Sequence, residues 1–238
     1  ILKRKICVEG QVGVVIRELG TGDVLVENHA DSQMMPASNQ KIVTTVGAFG
    51  ILSPQYTFKT SVKYSGKKND GRISGDLYLV GGGDPYLTKE SLWKIAERVY
   101  SMGVRSVSGD IVVDGHFFDE EGYPDPDWKR IAMPLWYNAP TGGVAFNFNA
   151  ISVIASPGAK MGDPARIAVD PPLDYFEIQS SATTGAPKSK VTLILDIKES
   201  DEKCTFVVKG KIPSNVSPQT YYRHLKSSHE YAGHSFRY

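Results

Sequence analysis

The hydrophobic pattern changes twice along this sequence, and that change constrains the fold more than any other feature. Apolar and polar residues alternate over 12–16 and 24–26, on either side of the turn Gly20-Thr21-Gly22-Asp23. This pattern predicts a β-hairpin. Apolar residues then recur at helical spacing over 38–49, and Ser53-Pro54 closes the segment. We therefore expect a helix with Ser38 at or near its N-terminus.

The middle of the chain has the pattern of a separate α/β unit. Strands are predicted over Thr57–Tyr64, Ile73–Val80 and Gly109–Asp114. An amphipathic helix between them should begin at the N-cap Thr88 and end at Gly103. Short strands with polar connections follow, over 144–154, 166–169, 191–197 and 205–209. The shift from α/β to all-β patterning predicts an inserted subdomain.

Charge and apolar content exclude several classes of protein. The formal net charge is +1, without a basic stripe or a block of like charges, which argues against nucleic acid and anionic membrane as main partners. No apolar run approaches the roughly 18 residues of a spanning helix, so we expect no transmembrane segment. The start of the chain also lacks the pattern of a signal peptide. Cys7 and Cys204 permit one disulfide without implying it.

The pattern Ser-x-x-Lys occurs four times, and its surroundings distinguish the copies. Ser65–Lys68 lies in a charged turn, Ser200–Lys203 in a solvated run, and Ser91–Lys94 in the first turn of the amphipathic helix. Ser38–Lys41 alone opens an apolar helix directly after Pro-Ala. A spacing of three places Lys41 over Ser38 on one helical face, where a desolvated lysine can act as base for a serine nucleophile. From spacing alone, a capping serine followed by an exposed lysine explains the pattern equally well or better.

A longer segment resembles a known active site. Residues 35–44, Met-Pro-Ala-Ser-Asn-Gln-Lys-Ile-Val-Thr, resemble the active-site segment of penicillin-binding D-alanyl-D-alanine carboxypeptidases, in particular the DacB-like (penicillin-binding protein 4-like) branch. Three further segments fit the same branch in the same order. They are Gly75-Asp76-Leu77 with Gly82-Gly83-Asp84-Pro85, Gly109–Asp114 with Phe117, and Tyr137-Asn138-Ala139-Pro140 with Asn147-Phe148-Asn149.

The resemblance implies a multidomain α/β fold. Part of a transpeptidase-like (serine β-lactamase-like) domain, 1–57 plus 222–238, would be interrupted by an α/β domain, 58–145 plus 206–221. A small all-β domain, 146–205, would be nested within the latter. The implied function is a periplasmic or extracytoplasmic serine carboxypeptidase and endopeptidase without cofactor or metal. Its partners would be peptidoglycan stem peptides and β-lactam antibiotics, with Ser38 as nucleophile and Lys41 as base.

Two departures from the family pattern leave alternatives open. The family also uses a Ser-x-Asn motif and a Lys-Thr-Gly strand, and neither occurs in these 238 residues. In the family both motifs follow the inserted domains, so a partial chain is the simplest explanation. A natural relative that kept the fold and lost the chemistry, serving as a peptidoglycan-binding scaffold, is the alternative. A β-lactamase or esterase built on the same nucleophile is a third possibility.

The second departure concerns substrate binding. Where family members often carry an acid that binds the amino group of a diamino acid, this chain has Trp128-Lys129-Arg130. Arg130 would instead favour a carboxylate on the substrate. A shifted loop that places Asp125 or Asp127 in the acidic role is an equal alternative. Core packing is the expected role of Trp128, Trp136 and Tyr137, and a surface that stacks on sugar or peptide is the alternative.

Overall fold

The hairpin and helix predicted for the first part of the chain are both present in the computed structural model, which describes residues 12–119, 122, 136–200 and 202–237. The chain divides into two units, Ile1–Thr57 and Phe58–Tyr238. In the first unit, β1 (Val14–Arg17) pairs antiparallel with β2 (Val24–Asn28). A 3-10 turn, Ala37–Asn39, then leads into helix α1 (Gln40–Leu52).

The second unit begins with two small sheets that a helix connects. β6 lies between β3 and β9, antiparallel to β3 and parallel to β9. β5 likewise lies between β4 and β8. Helix α2 (Lys89–Ser101) joins the parallel strands, as a crossover connection requires. The strands are β3 (Ser61–Tyr64), β4 (Lys67–Asn69), β5 (Arg72–Ser74), β6 (Leu77–Val80), β7 (Asp84–Leu87), β8 (Ser106–Val107) and β9 (Ile111–Asp114).

The prediction of one strand over Ile73–Val80 was wrong, because the chain interrupts it at Gly75-Asp76. The side chain of Asp76 accepts a hydrogen bond from the backbone N–H of Asp110 (2.9 Å). The backbone N–H of Asp76 itself donates to Ser65 Oγ (2.9 Å). These bonds take the place of regular ladder bonds, so β5 and β6 belong to different sheets.

Both predicted ends of helix α2 are confirmed. The side chain of Thr88 accepts a hydrogen bond from the backbone N–H of Ser91, as an N-cap does. At the other end Gly103 has a φ of +84°, a left-handed conformation that glycine adopts without steric cost. Leu92 is buried on the apolar face of this helix.

The remainder of the second unit consists mainly of short strands. β11 lies between β12 and β18, β16 lies between β13 and β15, β14 pairs with β17, and β10 pairs with β7. The C-terminal helix is α3 (Ser228–Arg237). The strands are β10 (Val144–Phe146), β11 (Ala150–Ser156), β12 (Arg166–Asp170), β13 (Phe176–Ser180), β14 (Thr183–Gly185), β15 (Ile194–Glu199), β16 (Cys204–Lys209), β17 (Lys211–Pro213) and β18 (Gln219–His224).

One hydrophobic core includes residues from both of the predicted inserted domains. Leu79, Leu92 and Phe206 of the predicted α/β domain share it with Val153 of the predicted all-β domain and with Tyr231 of α3. The segment 222–237, which the sequence grouped with the first part of the chain, pairs and packs within the second unit through β18 and α3. The three-domain division itself stays a prediction.

Candidate active site

Ser38 lies in the short turn that precedes helix α1. The backbone N–H of Asn39 donates to the carbonyl of Pro36 (2.9 Å), which closes this turn. Ala37 has a φ of +45°, a conformation that costs energy for any residue with a side chain. Strained backbone of this kind is found at functional sites more often than elsewhere. It also brings Ser38 to the N-terminal end of a helix of 13 residues, where the helix dipole favours negative charge.

Lys41 reaches back over this turn to Ser38. Its Nζ donates a hydrogen bond to Ser38 Oγ at 3.2 Å, the contact that a spacing of three on a helix makes available. Both side chains are exposed. The structure therefore brings the two predicted catalytic residues together, and the lysine is within the distance at which a proton can be exchanged with the hydroxyl.

The other three Ser-x-x-Lys pairs lack this contact. Ser65 Oγ accepts from the backbone of Asp76, and Ser91 contributes to the cap of helix α2. Ser200 Oγ is bonded to the backbone of Lys203, whose Nζ contacts Glu177. All four pairs lie in the described part of the chain, and among them only Ser38 and Lys41 have their side chains hydrogen-bonded to each other. The local structure of Ser38–Lys41 thus differs from that of the other three pairs, as its sequence context does.

The apolar side chains of the helix that carries Lys41 are largely exposed. Ile42, Val46 and Phe49 are 65%, 67% and 57% exposed, and helix α1 has no buried residue. Exposed apolar residues grouped on one element are typical of an interaction surface. The same surface adjoins the turn that holds Ser38.

The second unit offers a different nucleophile, which burial makes inert. Cys204 is fully buried in β16, and burial raises the pKa of its thiol to about 12. Reactive cysteines have lowered pKa values and partial exposure. Cys204 therefore has the character of a structural core residue, while Cys7 lies outside the described residues.

The residues considered for substrate binding lie outside the described residues. Arg130, Trp128 and both candidate acids, Asp125 and Asp127, fall in the undescribed segment 123–135. Within the described ranges no group of three or more His, Cys, Asp or Glu side chains comes together to hold a metal ion. Over the same residues, no helix has the length and apolarity needed to cross a membrane.

Comparison with known proteins assigns the family. Residues 6–238 match the D-Ala-D-Ala carboxypeptidase 3 (S13) family, and the chain belongs to that family. A D-alanyl-D-alanine carboxypeptidase of Actinomadura sp. (strain R39) is 34% identical over 235 residues, which cover 96% of this chain and 43% of that protein. The D-alanyl-D-alanine carboxypeptidase DacB of Haemophilus influenzae is 22% identical over 220 residues, 91% of this chain and 45% of the relative.

Solved structures agree on the fold. The crystal structure of penicillin binding protein 4 (dacB) from Haemophilus influenzae superposes with a TM-score of 0.74 at 21% identity, covering 94% of this chain and 49% of that one. The structure of the same protein complexed with a novel β-lactam gives a TM-score of 0.67 at 20% identity, covering 94% and 47%. The mixed α/β fold of a penicillin-binding protein is thereby supported. The chain spans about half the length of the relatives that it matches.

Proposed function

We propose that this chain carries the nucleophile of a serine D-Ala-D-Ala carboxypeptidase and endopeptidase that acts on peptidoglycan stem peptides through an acyl-enzyme. The hydrogen bond between Lys41 Nζ and Ser38 Oγ, in a member of the S13 family, is the observation that supports this most directly. Ser38 is the nucleophile and Lys41 the base. Acylation of the same serine by β-lactams, and a periplasmic or extracytoplasmic location, follow from the same proposal.

The proposed reaction reverses the direction of the observed hydrogen bond. In the structure the lysine nitrogen donates to the serine oxygen. For catalysis a neutral Lys41 amine accepts the hydroxyl proton while Ser38 Oγ attacks the carbonyl of the penultimate D-Ala. The proton then passes to the amine of the departing D-Ala. Water hydrolyses the resulting ester, which frees Ser38 for another turnover.

A lysine serves as a base when its surroundings disfavour the charged ammonium. Ser38 and Lys41 are exposed here, beside the exposed apolar side chains of helix α1. We propose that further polypeptide, carrying the Ser-x-Asn and Lys-Thr-Gly motifs that the family resemblance implies, covers this surface. Covering it would bury the apolar face and remove water from the lysine in one step. The relatives, which are about twice as long, are consistent with this proposal.

A non-catalytic relative that binds peptidoglycan is the second candidate, since neither motif occurs in the 238 residues. The experiment that separates the two candidates begins with the complete gene. The encoded protein is incubated with a peptide ending in D-Ala-D-Ala, and released D-alanine is measured. We expect release that Ser38→Ala abolishes and that Ser91→Ala, a matched change in another Ser-x-x-Lys pair, leaves intact. A complete protein that lacks both motifs and releases no D-alanine would support the scaffold.

A further inference from the structure

A pocket in the second unit is lined by three partly exposed aromatic rings. Trp136, Phe148 and Tyr222 are 54%, 51% and 54% exposed, and they border a cavity of about 440 Å³. Small-molecule sites in proteins have volumes of this order. The expectation that Trp136 and Tyr137 pack in a core is wrong, since both are more than half exposed. The rings therefore present faces to solvent at a concave surface.

The backbone holds Phe148 in this position at a conformational cost. Asn147, Phe148 and Asn149 all have positive φ, at 49°, 59° and 50°. Asparagine tolerates this conformation, whereas a bulky aromatic residue rarely adopts it. The asparagines are fixed by hydrogen bonds: Asn147 Nδ2 donates to the carbonyl of Ala150 (3.1 Å) and Asn149 Nδ2 to that of Leu225 (2.8 Å). The turn thus holds the exposed Phe148 ring between two asparagines that are fixed by hydrogen bonds.

Packing in the core does not account for this arrangement. The ring of Phe148 has its edge-on aromatic contact with Tyr86 (centroids 5.7 Å apart), which is itself 68% exposed. Strained backbone that positions an exposed side chain suggests a functional role for that side chain. A ring displayed in this way can stack on a flat apolar partner.

The charges of the pocket indicate which partner this is. Among the described residues that line it, Lys89 and Asp170 are the charged ones. Lys89 Nζ contacts both carboxylate oxygens of Asp170, at 2.8 and 3.1 Å, so the two charges neutralise each other. A pocket with no net charge gives no advantage to an anion such as nucleic acid. The pair and Ser152 nevertheless offer donors and acceptors at the edge of the rings.

We propose that this pocket binds a glycan chain. A pyranose ring has an apolar C–H face, which stacks on exposed aromatic rings, and a rim of neutral hydroxyl and acetamido groups, which bond to paired polar side chains. Phe148 and Tyr222 stack on the sugar faces, while Lys89, Asp170 and Ser152 bond to the rim. The site lies wholly in the second unit and does not depend on acylation at Ser38.

The test is calorimetric titration of the 238-residue chain with chitotetraose, a β-1,4-linked N-acetylglucosamine oligomer. We expect a dissociation constant in the range of roughly 0.1–1 mM. Phe148→Ala and Tyr222→Ala should each weaken binding about three- to tenfold. Phe148→Trp should retain it. Trp93→Ala, which removes an aromatic residue that is 65% exposed outside the pocket, and Ser38→Ala should leave it unchanged. Circular dichroism confirms that each variant is folded.

Two results would overturn the proposal. One is the absence of binding up to roughly 10 mM chitotetraose, or binding that Phe148→Ala and Tyr222→Ala leave unchanged. The other is binding of a sugar-free stem peptide that these variants abolish while they leave binding of the oligosaccharide unchanged. That result would assign the pocket to peptide. Because Tyr222 is an exposed side chain, Tyr222→Ala gives a decisive result even if Phe148→Ala fails to fold.

Discussion

Replacing one phenylalanine in each unit measures whether helix α1 is covered in this chain. Phe206 lies in the central strand of its sheet, is fully buried, and contacts Phe176 edge-on with ring centroids 5.4 Å apart. Phe206→Ala should therefore cost about 3–5 kcal/mol. Phe49 is 57% exposed, so less than half of the roughly 1.5–3 kcal/mol for a fully buried phenylalanine is available. Alanine also forms helix better, by up to about 0.7 kcal/mol.

We therefore expect Phe49→Ala to change the stability of helix α1 by no more than about 1 kcal/mol in the 238-residue chain. Hydrogen exchange measured by mass spectrometry, on peptides from 40–52 and from 204–209, reports each unit separately. In the complete protein, Phe49→Ala should cost several times more, because we propose that further polypeptide covers this face. If Phe49→Ala destabilises the 238-residue chain as strongly as Phe206→Ala, the face is already covered and the reasoning fails.

Three other predictions concern catalysis, specificity and pH. In the complete protein, Lys41→Ala should slow acylation by roughly 10²–10⁴-fold with an unchanged melting temperature; acylation at the native rate in stopped-flow assays would show that another group is the base. Arg130→Asp should raise kcat/KM for peptides with a free amine on the third residue relative to acetylated ones; an existing strong preference for the amine that the variant leaves unchanged would contradict this. Burial raises the pKa of Glu199 despite the backbone N–H groups of Lys226 and Ser227 that bond to it. The folded state thus binds the carboxyl proton of Glu199 more tightly than the unfolded chain does. The free energy of unfolding therefore falls as the pH rises from the ordinary pKa of this carboxyl through its raised pKa. Glu199→Gln should raise the melting temperature at pH 7 and have no such advantage well below the ordinary pKa of 4.5; an equal gain at both pH values would exclude the charge as the cause.

Local signals in the sequence predicted the elements that local interactions stabilise. The hairpin of β1 and β2 follows from alternation and a turn, and the ends of helix α2 follow from a capping threonine and a glycine. The contact between Ser38 and Lys41 was predicted for the same reason, since a spacing of three on a helix fixes it.

Elements that depend on distant partners were missed. β13 (Phe176–Ser180) pairs in parallel with β16, and β14 (Thr183–Gly185) pairs in parallel with β17; in each case two other strands lie between the partners in the chain. The Thr-Thr-Gly sequence of β14 has no apolar alternation, and the alternation in β13 is only four residues long, Phe-Glu-Ile-Gln. Both strands are defined mainly by pairing with residues far along the chain. The left-handed turn that leaves the Phe148 ring exposed was not predicted either. Its signal was the Asn-Phe-Asn sequence, since asparagine on both sides of an aromatic residue permits a left-handed turn.

Acylation by a penicillin tests the central claim most directly. The complete protein is incubated with a fluorescent penicillin, and the adduct is located by mass spectrometry of the digested protein. We predict one covalent adduct on Ser38, lost in Ser38→Ala and retained when Ser65, Ser91 or Ser200 is replaced by alanine. An adduct that survives Ser38→Ala, or that is lost with one of the other three serines, would contradict the assignment of Ser38 as the nucleophile.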